Sequence, residues 1–207
     1  MSAESDFAEI VDLSSIRVEG ETAKTRAQYE SRYGDKPGKG VYSRHDWARI
    51  SYVLHCLEKG GAVLDVGVGS GQLINTLAAS GEFERVVGID VTTHTKFIRL
   101  SDSYELQRMN VADLSFDDDS FDVVVCMEVL EHVDRETFLA GLDELRRVCR
   151  TQLIMTVPFE EPLPLPVYHK QRFDKADVET LWPLADKRLL QRPRVSWLLL
   201  EESSPGR

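Results

Sequence analysis

At 207 residues, with 42% apolar and 29% charged side chains, the chain has the size and composition of one folded domain, which excludes extensive disorder. Its 35 acidic and 25 basic residues leave a net charge of -10, disfavouring broad attraction to nucleic acid, whose affinity comes from Lys and Arg displacing counterions, but leaving a small local basic patch open. The acidic start Met1-Ser2-Ala3-Glu4-Ser5-Asp6 and the absence of any long apolar run argue against an export leader or a membrane span.

Residues 1–42 carry few apolar anchors and read as an N-terminal arm or lid ahead of a single domain, 43–207. Gly34 and the run Asp35-Lys36-Pro37-Gly38-Lys39-Gly40 mark a mobile connection. Tyr29, Tyr33 and Tyr42 either close over a substrate or dock the arm on the core. Ser43-Arg44-His45-Asp46 has the form of a capping box, and Trp47, Ile50, Leu54 and Leu57 then recur at helical spacing until Gly60 and Gly61.

Ala62 to Val66 is a buried strand that breaks into Gly67, Gly69 and Gly71, with Asp65 near its end. Alternate glycines permit positive φ and let a ligand lie against the backbone, and the next helix opens with unpaired N–H groups. A dinucleotide fingerprint would need its third glycine at position 72, where the chain has Gln72, so a nicotinamide enzyme is disfavoured. Leu73, Ile74 and Leu77 give a helix ending near Gly81, and Arg85 to Ile89 is a second strand closed by Asp90. An acidic residue about 20 positions past a glycine loop is placed to bind a ribose diol, or else to cap the segment after it.

Thr92 to Ser103 has no periodicity that places it. Tyr104 to Met109 reads as a third strand, Asp117-Asp118-Asp119 as a solvated turn, and Phe121 to Cys126 as a fourth buried strand. Asp134 caps a helix whose apolar positions are Phe138, Leu142, Leu145 and Val148. Leu153 to Val157 is a fifth strand stopped by Pro158, and the proline-rich Glu160 to Pro166 is a loop. Asp174 and Asp177 start a helix running through Leu181. Arg188 to Gln191 and Val195 to Glu201 are two strands around Arg192-Pro193. Cys56, Cys126 and Cys149 lie in apolar settings without metal-like spacing, as expected of reduced thiols in a cytoplasmic protein.

The order Asp65-Val66-Gly67-Val68-Gly69-Ser70-Gly71, Leu114-x-Phe116, a short acidic turn, Ser120-Phe121-Asp122-Val123-Val124 and Glu128-Val129-Leu130-Glu131-His132-Val133 resembles class I S-adenosylmethionine-dependent methyltransferases. The likeness is to their small-molecule branch, the methyltransferase type 11 group that includes ubiquinone and menaquinone biosynthetic enzymes, and it covers Ala62 to Phe159. It implies a doubly wound, Rossmann-like α/β sheet of about seven strands, ended by an antiparallel hairpin and preceded by a helical arm, with ligands at the strands' carboxyl ends.

The resemblance also assigns roles. Asp65, Gly67, Gly69 and Gly71 would hold the methionine end of S-adenosylmethionine, and Asp90 its ribose. Asn110 and Val111 would meet the adenine, with Asn110 where relatives usually have Asp. Cys126 and Met127 would lie beside the sulfonium. If residues 128–132 are helical, Glu128, Glu131 and His132 share one face, as an acid and base site or part of a metal site. Glu131, His132 and His169 are the catalytic candidates. Similar segments hold a divalent metal in ubiquinone O-methyltransferases and in plant-type small-RNA 2'-O-methyltransferases, which makes Glu128, Glu131, His132 and His169 the expected ligands of magnesium, manganese or zinc. His45, His55 and His94 lack any constellation.

The function expected is methyl transfer to oxygen or nitrogen of a small metabolite, with the acceptor chosen by residues 1–45 and the loop 160–172. Metal-assisted RNA 2'-O-methylation and a non-catalytic cofactor-binding module are the alternatives. Oligomeric state is not legible.

Overall fold

The computed structural model describes residues 7–33, 44–192 and 195–206. Ser43, Tyr42 and the Gly34 to Gly40 connection lie outside these. Short apolar runs in the middle of the chain become central strands, β2 (Ala62–Val66), β3 (Arg85–Asp90) and β5 (Phe121–Met127), and the largely exposed Glu105–Arg108 adds a short strand, β4. All four run parallel, with β2 paired to both β3 and β5, and β4 on the outer edge of β3. Strand β6 (Cys149–Phe159) lies parallel to β5, and the terminal hairpin of β7 (Asp186–Arg192) and β8 (Val195–Ser203) joins it antiparallel through β8.

Alternation along the central strands sends side chains to two apolar layers, which is what a doubly wound fold requires. Val63, Val86, Val123 and Ile154 face the layer covered by α1 (Gly20–Tyr33), α2 (Arg44–Cys56) and α3 (Gln72–Ser80). Leu64, Val87, Val124 and Leu153 face the layer covered by α4 (Arg135–Val148) and α5 (Lys175–Leu181). Both later helices start as expected. The Asp134 carboxylate accepts from Thr137 N, and Asp174 forms a reciprocal capping box with Asp177.

Two features depart from the sequence reading. The sheet has eight strands, in the order β1-β7-β8-β6-β5-β2-β3-β4, because Glu9–Asp12 forms an extra strand, β1, parallel to β7. The described part of the arm is therefore docked. In α1, Thr22, Thr25 and Tyr29 are buried, the Tyr29 hydroxyl donates to the Ser70 carbonyl at 2.5 Å, and its ring packs edge-on against Trp47. The Tyr33 hydroxyl donates to the Lys96 carbonyl at 2.9 Å. Strand β6 also starts earlier and runs through Pro158. Its neighbour β5 ends at Met127, opposite Thr156, so Pro158 interrupts no ladder bond on that side.

The segment 92–103, which periodicity left unplaced, is irregular but fixed at one point by a buried side chain. The Asn75 amide donates to the Ile98 carbonyl at 2.8 Å and accepts from Leu100 N at 2.9 Å and the Tyr104 hydroxyl at 3.0 Å. Among the described residues, no helix is long and apolar enough to cross a membrane.

Candidate active site

The glycine turn after β2 closes on β3. Gly67 N and Val68 N donate to the Ile89 carbonyl at 2.8 and 3.1 Å, and Gly71 N donates to the Val68 carbonyl at 2.7 Å. Gly67 has φ of 77°, and a Cβ there would stand 2.2 Å from Val129 Cγ2. The turn must approach the β5 edge this closely, so glycine is required twice over. Gly71 has φ of 90°, and a Cβ there would stand 2.8 Å from the Phe97 ring. It serves loop packing and does not line the cavity, unlike Gly67 and Gly69.

That cavity, of about 610 Å³, lies along the carboxyl ends of β2, β3 and β5. Its size is that of a small-ligand site. Asp65 lines it and is 3% exposed, with Oδ2 lacking any hydrogen-bond partner. Burial, and then the negative charge of Asp90, push its pKa up to about 7. Asp90 accepts from Gly69 N at 3.0 Å and Thr92 N at 3.1 Å, so it does cap the following turn while also facing the cavity. Asn110 Oδ1 accepts from Ala112 N at 3.1 Å, and Asn110 and Val111 line the same space. Met127 lines it too. Cys126 does not: alternation turns it into the core, where it is fully buried and its thiol pKa is raised, by burial first and then by Glu131. The sequence reading of Cys126 beside the cofactor is corrected on this ground.

Residues 128–132 are not one helical turn. Glu128 takes a left-handed φ of 56°, and Leu130–His132 is a short 3-10 turn. The turn directs Glu128 toward Arg49 and Glu131 toward the two histidines. Glu128 faces Arg49 Nη1 at 2.9 Å and accepts from Trp197 Nε1 at 2.6 Å and the Thr156 hydroxyl at 3.0 Å. The Arg49 guanidinium stacks 4.5 Å over the Trp197 ring. Burial raises the Glu128 pKa and Arg49 opposes it.

Glu131 is 1% exposed, lines the cavity, and has no partner for Oε2. Burial and the neighbouring Glu128 raise its pKa well above the usual carboxylate range. Ligand atoms of Glu131, His132 and His169 lie within 4.8 Å of one another, a mixed oxygen and nitrogen set able to hold a hard or borderline divalent ion. Glu128 is not in that group. His132 Nδ1 lies 3.1 Å from the Tyr168 carbonyl, and His169 Nδ1 lies 2.6 Å from Glu161 Oε2.

Four residues at this end of the site were missed from the sequence: Arg49, Thr156, Glu161 and Trp197. Only Arg49 carried a signal. It falls on the buried stripe of α2 with Ile50 and Val53, where a charge needs a partner.

Residues 64–154 match the family described as a methyltransferase domain. A ubiquinone biosynthesis O-methyltransferase of Coxiella burnetii is 37% identical over 94 residues, covering 41% of this chain and 38% of that protein. One of Neisseria meningitidis is 35% identical over 127 residues, covering 56% of this chain and 52% of that protein. The chain thus spans about half or less of the length of these curated relatives. Among solved structures, the Burkholderia thailandensis 1,6-didemethyltoxoflavin-N1-methyltransferase, with bound S-adenosylhomocysteine, superposes with a TM-score of 0.61 at 18% identity, over 88% of each chain. At that identity the likeness is one of fold.

Proposed function

We propose that this chain, which carries a methyltransferase-domain match over residues 64–154 on a methyltransferase fold, moves a methyl group from S-adenosylmethionine to oxygen or nitrogen of a small molecule. The observation that carries the reading is one cavity that joins the glycine turn and Asp90 to Glu131 and His169. The residues suit the cofactor. Asp65 Oδ2, buried without a donor, fits its ammonium, the bare backbone of Gly67 and Gly69 fits its amino-acid moiety, and Asp90 fits its ribose. Asn110 and Val111, on the same wall, would meet the adenine, and Met127 would border the transfer position.

The cofactor supplies a methyl group activated by positive sulfur. The protein's work is then alignment and exclusion of water, with proton removal when the acceptor is a hydroxyl. Glu161 fixes the His169 ring from Nδ1, leaving Nε2 to accept a proton, and Glu131 is a second acceptor in reach of the same end of the cavity. His132, held by the Tyr168 carbonyl, completes the wall. A second reading has specific support in the Glu131, His132 and His169 cluster: these three would hold a divalent cation that polarises the acceptor oxygen. Glu128, engaged by Arg49, is left out of that set.

The test is a transfer assay with methyl-labelled cofactor and extract divided into metabolite, RNA and protein fractions, with and without chelator. Label among metabolites is the expected result, and its loss with chelator favours the metal. Label in RNA overturns the small-molecule reading. Cofactor binding with no label in any fraction favours a non-catalytic module.

A further inference from the structure

A second cavity, of about 380 Å³, lies outside the candidate active site, where the terminal hairpin meets β1. Strand register builds its floor. Phe159 pairs with Ser196, Ser196 with Gln191, and Leu189, two residues before Gln191, with Ile10, so alternation puts all five on one face of the sheet. Elsewhere α4 and α5 cover that face, yet among the described residues none from either helix lines the cavity. The Phe7 ring, edge-on to Phe159 at 5.5 Å, and Pro162 form its sides, and Ile10 is left 40% exposed.

The polar groups of the wall differ in what they still lack. Glu161 is engaged by His169 at 2.6 Å. Glu160 is anchored through its backbone N, which donates to the Phe173 carbonyl at 2.9 Å, but its carboxylate has no hydrogen bond or ion pair among the described residues. The side chains of Gln191 and Ser196 have none either. No arginine, lysine or histidine among the described residues lines the space. Apolar walls with a few polar groups free to bond are the make-up of a small-ligand site. A wall with two carboxylates and no cation complements a positive ligand and opposes a negative one.

We infer that this cavity is a binding site, separate from the candidate active site, for a small amine with an apolar body. The body lies on Phe159, Leu189 and Ile10, the ammonium meets Glu160, and Gln191 and Ser196 accept its remaining N–H groups. Glu161 belongs to both sites, since it lines this cavity and holds His169 of the other. A bound amine therefore sits one side chain away from the candidate catalytic histidine. The inference does not depend on the cofactor reading.

The experiment is calorimetry on the full chain with three probes of one shape: 2-phenylethylamine, 2-phenylethanol and 3-phenylpropionate. The amine is expected to bind about fivefold tighter than the alcohol, the effect of one exposed ion pair, and the carboxylate is expected to bind weakest. Glu160→Gln is expected to bring amine and alcohol level. Gln191→Trp, which sends a ring into the groove from an exposed strand position, is expected to weaken all three by about tenfold or more. Both variants are expected to keep the parent's urea midpoint. Equal binding of amine and carboxylate, or an amine preference that survives Glu160→Gln, overturns the inference. Binding that survives Gln191→Trp puts the probe elsewhere and overturns it too. So does the failure of all three probes to bind at millimolar concentration, and if Gln191→Trp then turns a dimer into a monomer in sedimentation, the groove belongs to a second copy of the chain.

Discussion

Asp65 gives the protein a stability penalty that depends on pH, and Asp65→Asn isolates it. The carboxyl group ionises near its ordinary value of 3.8 in the unfolded chain but only near pH 7 in the fold, where burial and then Asp90 oppose its charge. Between those values the folded state holds the extra proton, so stability falls as pH rises through the window and the penalty is complete above pH 7. Integrated, it reaches about 4 kcal/mol as an upper figure. The asparagine has no such titration. Its new amide donors replace an unpartnered Oδ2, at a pH-independent cost of about 1–3 kcal/mol. Urea unfolding of both proteins without ligand is therefore expected to show the variant gaining on the parent by about 3 kcal/mol between pH 4.5 and pH 8. S-adenosylhomocysteine titration of the same samples is expected to show weaker binding by the variant, since it has lost the carboxylate proposed to meet the ligand's ammonium. A stability difference that stays constant across that pH range would refute the argument.

Gly67→Ala forces a Cβ to within 2.2 Å of Val129 Cγ2 at a φ of 77°, which costs roughly 1–3 kcal/mol in backbone strain alone; calorimetry is expected to show S-adenosylhomocysteine affinity down about tenfold or more. Asn75→Ala removes the side chain that holds Ile98, Leu100 and Tyr104, with an expected loss of about 1–3 kcal/mol and faster amide exchange confined first to residues 92–104. Leu145→Ala, at a fully buried position of α4, is expected to lower unfolding free energy by about 2–5 kcal/mol while the affinity for S-adenosylhomocysteine stays within twofold, because the residue lies away from the cavity wall.

Strands β2, β3 and β5 and the caps at Asp134 and Asp174 were legible because each depends on local pattern: a continuous apolar run, or an acidic side chain ahead of a helical stripe. What local pattern could not carry came from distant partners. Glu9-Ile10-Val11-Asp12 has only two apolar residues, and it becomes a strand because β7 offers an open edge. The segment Glu128 to His132 has helical spacing, but Arg49, Thr156 and Trp197, from three other elements, hold Glu128 in a left-handed turn. Parity decided Cys126 against Met127, since neighbouring strand residues face opposite layers, and a motif read without that alternation assigns both to the site. Gly67, Gly69, Asp65 and Asp90, singled out by the sequence, line one cavity, whereas the other end was only half visible because Glu161 and Trp197 lie in segments without a motif.

The placement of β1 has a consequence for synthesis. Val11 pairs with Leu190, so β1 leaves the ribosome long before its partner strand exists. At translation rates of about 5–20 residues per second, that wait is on the order of ten seconds or more. During it, Ile10 and Val11 have no sheet to join, and β7, once made, shows an open edge until β1 arrives. Slowing translation of the β7–β8 hairpin therefore lengthens an interval in which both edges are open to another molecule.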